Sequence, residues 1–140
     1  MALKRDALDA LFSDAIRESA DWYCQRCGRP FPERKGQDAH CSHYISRKYS
    51  SVRWHPLNAL CLCASCHGIV TDDPAEHYSL YLRVMGEGSL ALLRERKQKI
   101  VRYRELDKAQ MRSHYRGEIN RIKQLRKEGV MGFVSLVAYD

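Results

Sequence analysis

Between Asp38 and His67 the sequence gathers side chains that can move protons and hold metal. The stretch DAHCSHYISRKYSSVRWHPLNALCLCASCH carries four His, one Asn and four Cys. Within it His43, Asn58 and His67 follow in order, at intervals of fifteen and nine positions. Phosphodiester hydrolysis needs a water deprotonated, phosphate charge neutralised and a leaving oxygen stabilised. A neutral imidazole can take the proton near pH 7, and a divalent ion can serve the other two needs. His43 is the candidate base. Asn58, whose amide both donates and accepts, suits the task of holding that histidine and its loop. His67 can present an imidazole to the ion. Singly, His43 is an ordinary hydrogen-bonded histidine and Asn58 a turn residue; the pattern carries weight only in combination. His55, His77 and His114 lack that context and are assigned no role.

Cys24 and Cys27 form one Cys-x-x-Cys pair, and Cys63 and Cys66 a second, thirty-five residues on. Two such pairs supply four thiolates for a tetrahedral structural Zn2+. Gly28, directly after the first pair, lets the backbone curl around the metal. The gap exceeds the about 15–20 residues of the common template, which is acceptable if a self-contained unit is inserted. Cys41 and Cys61 are left over. Cys61 could replace Cys63, but Cys61 and Cys66 lack the two-residue spacing, and both spare cysteines read as small core hydrophobes.

The elements that must position these groups follow from periodicity. Ala7, Leu8, Leu11, Phe12, Ala15 and Ile16 form one apolar stripe and predict a helix over Leu3–Ser19. Asp38–Ile45 reads as a short strand, Ser46–Pro56 as a loop, Asn58–Leu62 as a second strand and Ala64–Val70 as a short helix. Asp72-Asp73-Pro74 marks a helix start, and Gly86 a stop after Met85. Ser89 opens a long basic helical pattern that either continues to Lys127 or breaks near Asp107 or Gly117. The last stretch, GVMGFVSLVAYD, has strand-type residues and predicts an edge strand or an interface. Tyr78 and Tyr81, at helical spacing, read as core. The chain therefore divides into a unit over residues 1–86 and a basic helical extension over residues 87–140.

Charge separates along the same line. The chain of 140 residues carries a net +7. Residues 1–82 hold ten basic and ten acidic side chains, whereas residues 83–128 hold fourteen basic against six acidic. A positive field confined to one end favours a polyanion such as DNA, although a basic solvated helix face is an equal reading on charge alone. Arg47, Lys48 and Arg53, in the loop between the strands, are candidates for phosphate contact. No stretch approaches the about 18 apolar residues of a membrane span. The N-terminal MALKRDALDALF is amphipathic and acid-bearing, unlike an export signal, so a reducing cytoplasm is expected, where metal explains cysteines better than disulfides do.

The run CSHYISRKYSSVRWHPLNALCLCASCH, with the upstream Cys-x-x-Cys-Gly, resembles the HNH (beta-beta-alpha-metal, His-Me finger) endonucleases that carry a four-cysteine zinc ribbon, and is similar to phage NinG-type recombination proteins. The resemblance covers residues 22–85 well and the remainder loosely. It implies an α+β fold: a small zinc-stapled ββα-metal core, with an N-terminal helix and long basic C-terminal helices around it. It implies a base at His43, a structural Asn at Asn58, a metal-binding His at His67, a catalytic Mg2+ or Mn2+ separate from the zinc, and products ending in 5′-phosphate and 3′-hydroxyl. Many HNH members have Asp or His directly before the base, whereas this chain has Ser42. The missing ligand then falls to Ser42 itself, His40, Asp38, a downstream acid (Asp72 or Asp73) or water. The expected activity is a DNA endonuclease that nicks one strand per active site, acting as monomer or homodimer. The competing expectation is a non-catalytic zinc-ribbon DNA-binding accessory protein of recombination. Nothing in the sequence reads sugar identity, so RNA is not separated from DNA.

Overall fold

Asp6 decides where the first helix begins. Its carboxylate accepts from the Leu8 N–H, and Asp9 caps back onto the Asp6 N–H, a reciprocal capping box. In the computed structural model, which describes residues 3–140, α1 therefore runs over Ala7–Ser19 and not from Leu3. Leu8, Phe12, Ala15 and Ile16 of its stripe are buried. The chain then turns through Asp21 and Trp22 into the Cys24–Gly28 knuckle. There Gly28 sits at φ 78° and donates its N–H to the Cys24 carbonyl at 2.9 Å, a left-handed position that explains the glycine.

β1 (Ala39–His43) pairs antiparallel with β2 (Ala59–Cys63), Ala39 opposite Cys63 and His43 opposite Ala59. The connection is partly helical where a loop was expected, with a short α2 (Ser50–Arg53) and a 3-10 turn (Pro56–Asn58). Asn58, fully buried, closes it: the side-chain oxygen accepts from the Ile45 N–H at 2.7 Å, and the amide nitrogen donates to the Ile45 and Val52 carbonyls at 2.9 and 3.1 Å. α3 (Ala64–Asp72) leaves β2 directly, with the Cys63 sulfur accepting from the Cys66 N–H. The order strand, connection, strand, helix is that expected.

α4 (Pro74–Met85) starts at Asp73, which caps the Ala75 and Glu76 N–H groups, and stops at Gly86. The basic pattern splits into α5 (Glu87–Lys97) and α6 (Glu105–Lys127). The break precedes Asp107, whose carboxylate accepts from the Arg104 N–H at 2.8 Å and so starts α6; Gly117 is carried inside the helix. The last residues form no strand. They run extended over α1 and α6, where Ser19 and Val134 exchange two hydrogen bonds of 2.6 and 2.9 Å, and Gly132 donates to Asp21. With helices beneath it and not a sheet edge, this strap finds carbonyls and carboxylates in place of a ladder.

The boundary at residue 86 does not separate one core from another. Met111, Tyr115 and Ile119 of α6 join Leu8, Phe12 and Leu60 in one apolar cluster, and the Tyr115 hydroxyl donates to the Trp54 carbonyl. A smaller cluster unites Val52, Tyr81, Leu90 and Leu93. Tyr81 is core as expected, its hydroxyl on the Leu57 carbonyl at 2.7 Å, but Tyr78 is 41% exposed. The architecture is thus α+β, with six helices and one two-stranded sheet among the described residues.

Candidate active site and metal cluster

Cys24 and Cys27 come from the knuckle, Cys63 from the end of β2, and Cys66 from the first turn of α3. All four sulfurs lie within 4.8 Å of one another. Thiolates bound to one tetrahedral ion at about 2.3 Å stand about 3.8 Å apart, and Cys27 and Cys63 already lie at 3.9 Å. The cluster has the donor set and spacing of a structural metal site. Burial opposes ionisation of Cys24, yet hydrogen bonds from the Cys27, Cys63 and Arg26 backbone outweigh it and bring the thiol down to about 7. The Arg26 guanidinium, anchored on Glu76 at 3.1 Å, also reaches Cys66. The inserted segment between the pairs is the hairpin itself, which is why so long a gap still closes. Cys61 is a buried spare, held up at about 12 by burial. Cys41 is not simply core, since it lines the groove described next.

His43 ends β1. Its Nε2 meets the carbonyl oxygen of Arg53 at 2.9 Å, which makes Nε2 the protonated nitrogen and leaves Nδ1 as the basic one. Burial, with Arg47 nearby, pushes the imidazole down to about 4, so it is neutral and able to accept a proton at pH 7. His43 faces a groove that is also lined by Cys41, Arg47, Arg5, Ser13 and His67. His67, in α3, is one wall, and its Nδ1 lies 3.1 Å from Nδ1 of His40 on β1. Two nitrogens on one ion at about 2.0–2.1 Å are separated by about 3 Å when the ligands are roughly perpendicular. Burial and the neighbouring His40 push His67 below its ordinary value, which keeps it unprotonated for such a role.

No known family, characterised protein or solved structure matches this chain. The chemistry of the site therefore rests on its own geometry.

Of the other residues singled out by sequence, Arg47 lines the groove. Lys48 points away, lying 5.2 Å from the Tyr49 ring centroid beside Lys97. Arg53 is not available to a phosphate: its guanidinium is paired with Asp9, donates to the Lys4 carbonyl, and stacks at 4.7 Å on Trp54. Its contribution to the groove is its carbonyl oxygen. Asp38 is exposed and Ser42 is 1% exposed within the sheet; neither lines the groove, and Asp73 is the α4 cap. Only His40 among the proposed extra ligands stands beside His67. Sequence reasoning missed Arg5, Ser13 and Cys41 as groove residues. Arg5 precedes α1 and carries no motif; Ser13 shows up only as a polar residue on the buried side of an amphipathic helix.

Proposed function

We propose that the chain is a metal-dependent endonuclease acting on DNA, with His43 as general base. One observation carries this reading: a strand histidine whose Nε2 is fixed on a backbone carbonyl, which leaves Nδ1 as its free nitrogen, lines a groove with His67 in its wall, and His67 in turn meets His40 in the adjoining depression. A core role alone explains the neutral ring but not its place in a groove with the His67 imidazole and with Arg5 and Arg47, which make no ion pair among the described residues.

His43 Nδ1 takes a proton from a water as that water's oxygen bonds to phosphorus and the P–O3′ bond breaks. The cut leaves a 5′-phosphate and a 3′-oxygen that recovers a proton from solvent. Asn58 keeps the Ser46–Pro56 connection, and with it the Arg53 carbonyl, in place. Arg47 and Arg5 offset phosphate charge. When bound at His40 and His67, a divalent ion supplies Lewis-acid stabilisation of the phosphate and the leaving oxygen. Two imidazoles suit a first-row transition ion better than Mg2+, which favours carboxylate and water ligands, so Mn2+ is the better of the two expected ions. Zn2+ is the ion best suited to the four thiolates, as a closed structural site. The reading as a non-catalytic DNA-binding module accounts for the cysteines and the charge but leaves the orientation of His43 without a purpose.

Incubation of the protein with supercoiled plasmid in Mn2+, Mg2+ or EDTA tests the proposal. Open circles that need the ion and are not made by His43→Ala are the expected result, with zinc content and DNA binding of the variant intact. Cleavage by His43→Ala at the normal rate removes His43 from the mechanism. Binding without cleavage under any ion favours the non-catalytic module.

A further inference from the structure

The groove beside His43 continues past His67. It shares Cys41 and His67 with a second depression, lined by His40, Arg17 and Gly36. That depression shares Asp14 and Gly36 with a third, between α1 and α6, lined by Arg116, Lys123 and Lys127. The three form one channel that crosses α1 from the base to the far helix.

The α6 wall is built for a line of negative charge. Arg112, Arg116, Asn120, Lys123 and Lys127 recur at steps of four, four, three and four, and so lie on one stripe about 22 Å long at the helical rise. Arg116, Lys123 and Lys127 are exposed. The basic residues of α6 that do pair with carboxylates are others: Lys108, Arg121 and Arg126. The three acids in the channel are already neutralised, Asp9 by Arg53, Asp14 by Arg17 at 2.7 Å and Glu18 by Arg34 at 3.5 Å. Trp22, which lines the third depression, has a buried Nε1 with no acceptor. Trp22 is 7% exposed and the channel presents no open Phe, Tyr or Trp ring among the described residues. Single strands are held by stacking on such rings; a straight row of cations without them suits the sugar–phosphate backbone of a duplex.

We propose that this channel seats the duplex DNA arm flanking the cleaved bond, with Arg116, Lys123 and Lys127 contacting successive phosphates. The position of the cut rests on the nuclease reading; the binding does not. Each neutralised phosphate contributes about 0.9 to the slope of log affinity against log salt. The full chain carrying His43→Ala is titrated with a fluorescent duplex across a salt series. It is compared with the same chain also carrying Arg116→Glu, Lys123→Glu and Lys127→Glu, and with a control carrying Arg83→Glu, Arg94→Glu and Arg102→Glu, all exposed positions outside the channel. Unchanged thermal melting verifies folding. The channel variant is expected to lose affinity about 10- to 100-fold and to flatten the slope by about 2–3, against less than about threefold for the control. Equal loss in both variants overturns the channel, as does tighter binding of a single-stranded oligonucleotide with the same sensitivity. If wild type cuts no plasmid while the channel variant alone loses binding, the nuclease reading fails and the channel stands. If His43 is required for cutting and the channel substitutions on the otherwise wild-type chain leave KM for a duplex unchanged, the channel fails and the nuclease reading stands.

Discussion

Arg53 holds its carbonyl oxygen 2.9 Å from His43 Nε2 while its own guanidinium is clamped by Asp9 of α1. The orientation of the candidate base is therefore set from outside the hairpin, by a helix that carries none of the motif residues. Asp9 also accepts from the Trp54 indole at 2.9 Å, and both Asp9 and Trp54 are about 5% exposed or less. Removing Asp9 leaves a largely buried guanidinium with only the Lys4 carbonyl, and a buried indole without its acceptor. Asp9→Ala is expected to cost about 3–5 kcal/mol in a denaturant titration. It should also lower kcat before it changes KM, since what loosens is the orientation of the base. A variant as stable and as active as wild type would separate Asp9 from both roles.

The pH dependence follows from the depressed His43. Burial lowers its folded value to about 4 against an ordinary 6.5, so the folded state prefers the neutral ring. Its contribution to stability is fully present above about pH 6.5 and is lost as pH falls from there toward 4, where the unfolded chain takes up a proton that the folded chain refuses. Asp9, also lowered, retains its stabilising charge until pH falls through the carboxylate range. At saturating metal and DNA, the acid limb of kcat belonging to His43 is expected near pH 4, not 6.5. A limb at 6.5 that persists at saturating metal would mean that the base is another group.

Metal at the cysteine cluster should be structural. One zinc per chain is expected by elemental analysis. Cys27→Ser, at the exposed member of the set, is expected to abolish zinc and lower Tm by more than about 10 °C, because binding energy at such a site is folding energy. Cys61→Ala should keep its zinc. Loss of zinc in Cys61→Ala with retention in Cys27→Ser would reassign the ligands.

The two-histidine pair predicts a different metal behaviour. His40→Ala is expected to raise the Mn2+ concentration for half-maximal cleavage at least about 10-fold, leaving zinc content unchanged. His67→Ala should do the same, and the double variant little more than either alone, since one ligand cannot chelate. Unchanged Mn2+ dependence in His40→Ala would leave the second position to water, since Asp38 and Ser42 do not line the groove.

The features of this fold that were legible in the sequence are those fixed by short-range chemistry. The Asp73–Pro74 start, the Gly86 stop, the order of hairpin and helix, and the four cysteines all depend on neighbours within a few residues or on donor identity. The true start of α1 depended on a capping box in which Asp9 stands for the usual Glu, and the apolar stripe alone runs past it. Arg53 read as a phosphate contact because a loop arginine shows its charge, whereas its partner Asp9 lies 44 positions away. His40 could be named only as one of several candidates, because strand twist and the approach of α3 decide which side chain meets His67. Of the two expectations for the terminal strap, the edge strand does not form: β-type residues mark extended backbone, and extended backbone needs no sheet when Ser19, Asp21 and Glu118 supply its partners.

The packing of α6 on α1 also orders events during synthesis. Leu8 and Phe12 of α1 precede Met111 and Tyr115 of α6 by 103 positions each, and the hairpin covers the α1 stripe only in part until α6 is made. At about 5–20 residues per second, Leu8 and Phe12 wait on the order of 5–20 s before that cover is complete. During that interval the nascent chain already holds both cysteine pairs and the whole hairpin, but not the wall that completes the core. Translation that stops short of α6 would leave an adhesive intermediate for chaperones and proteases, so synthesis of α6 would act as a checkpoint on assembly.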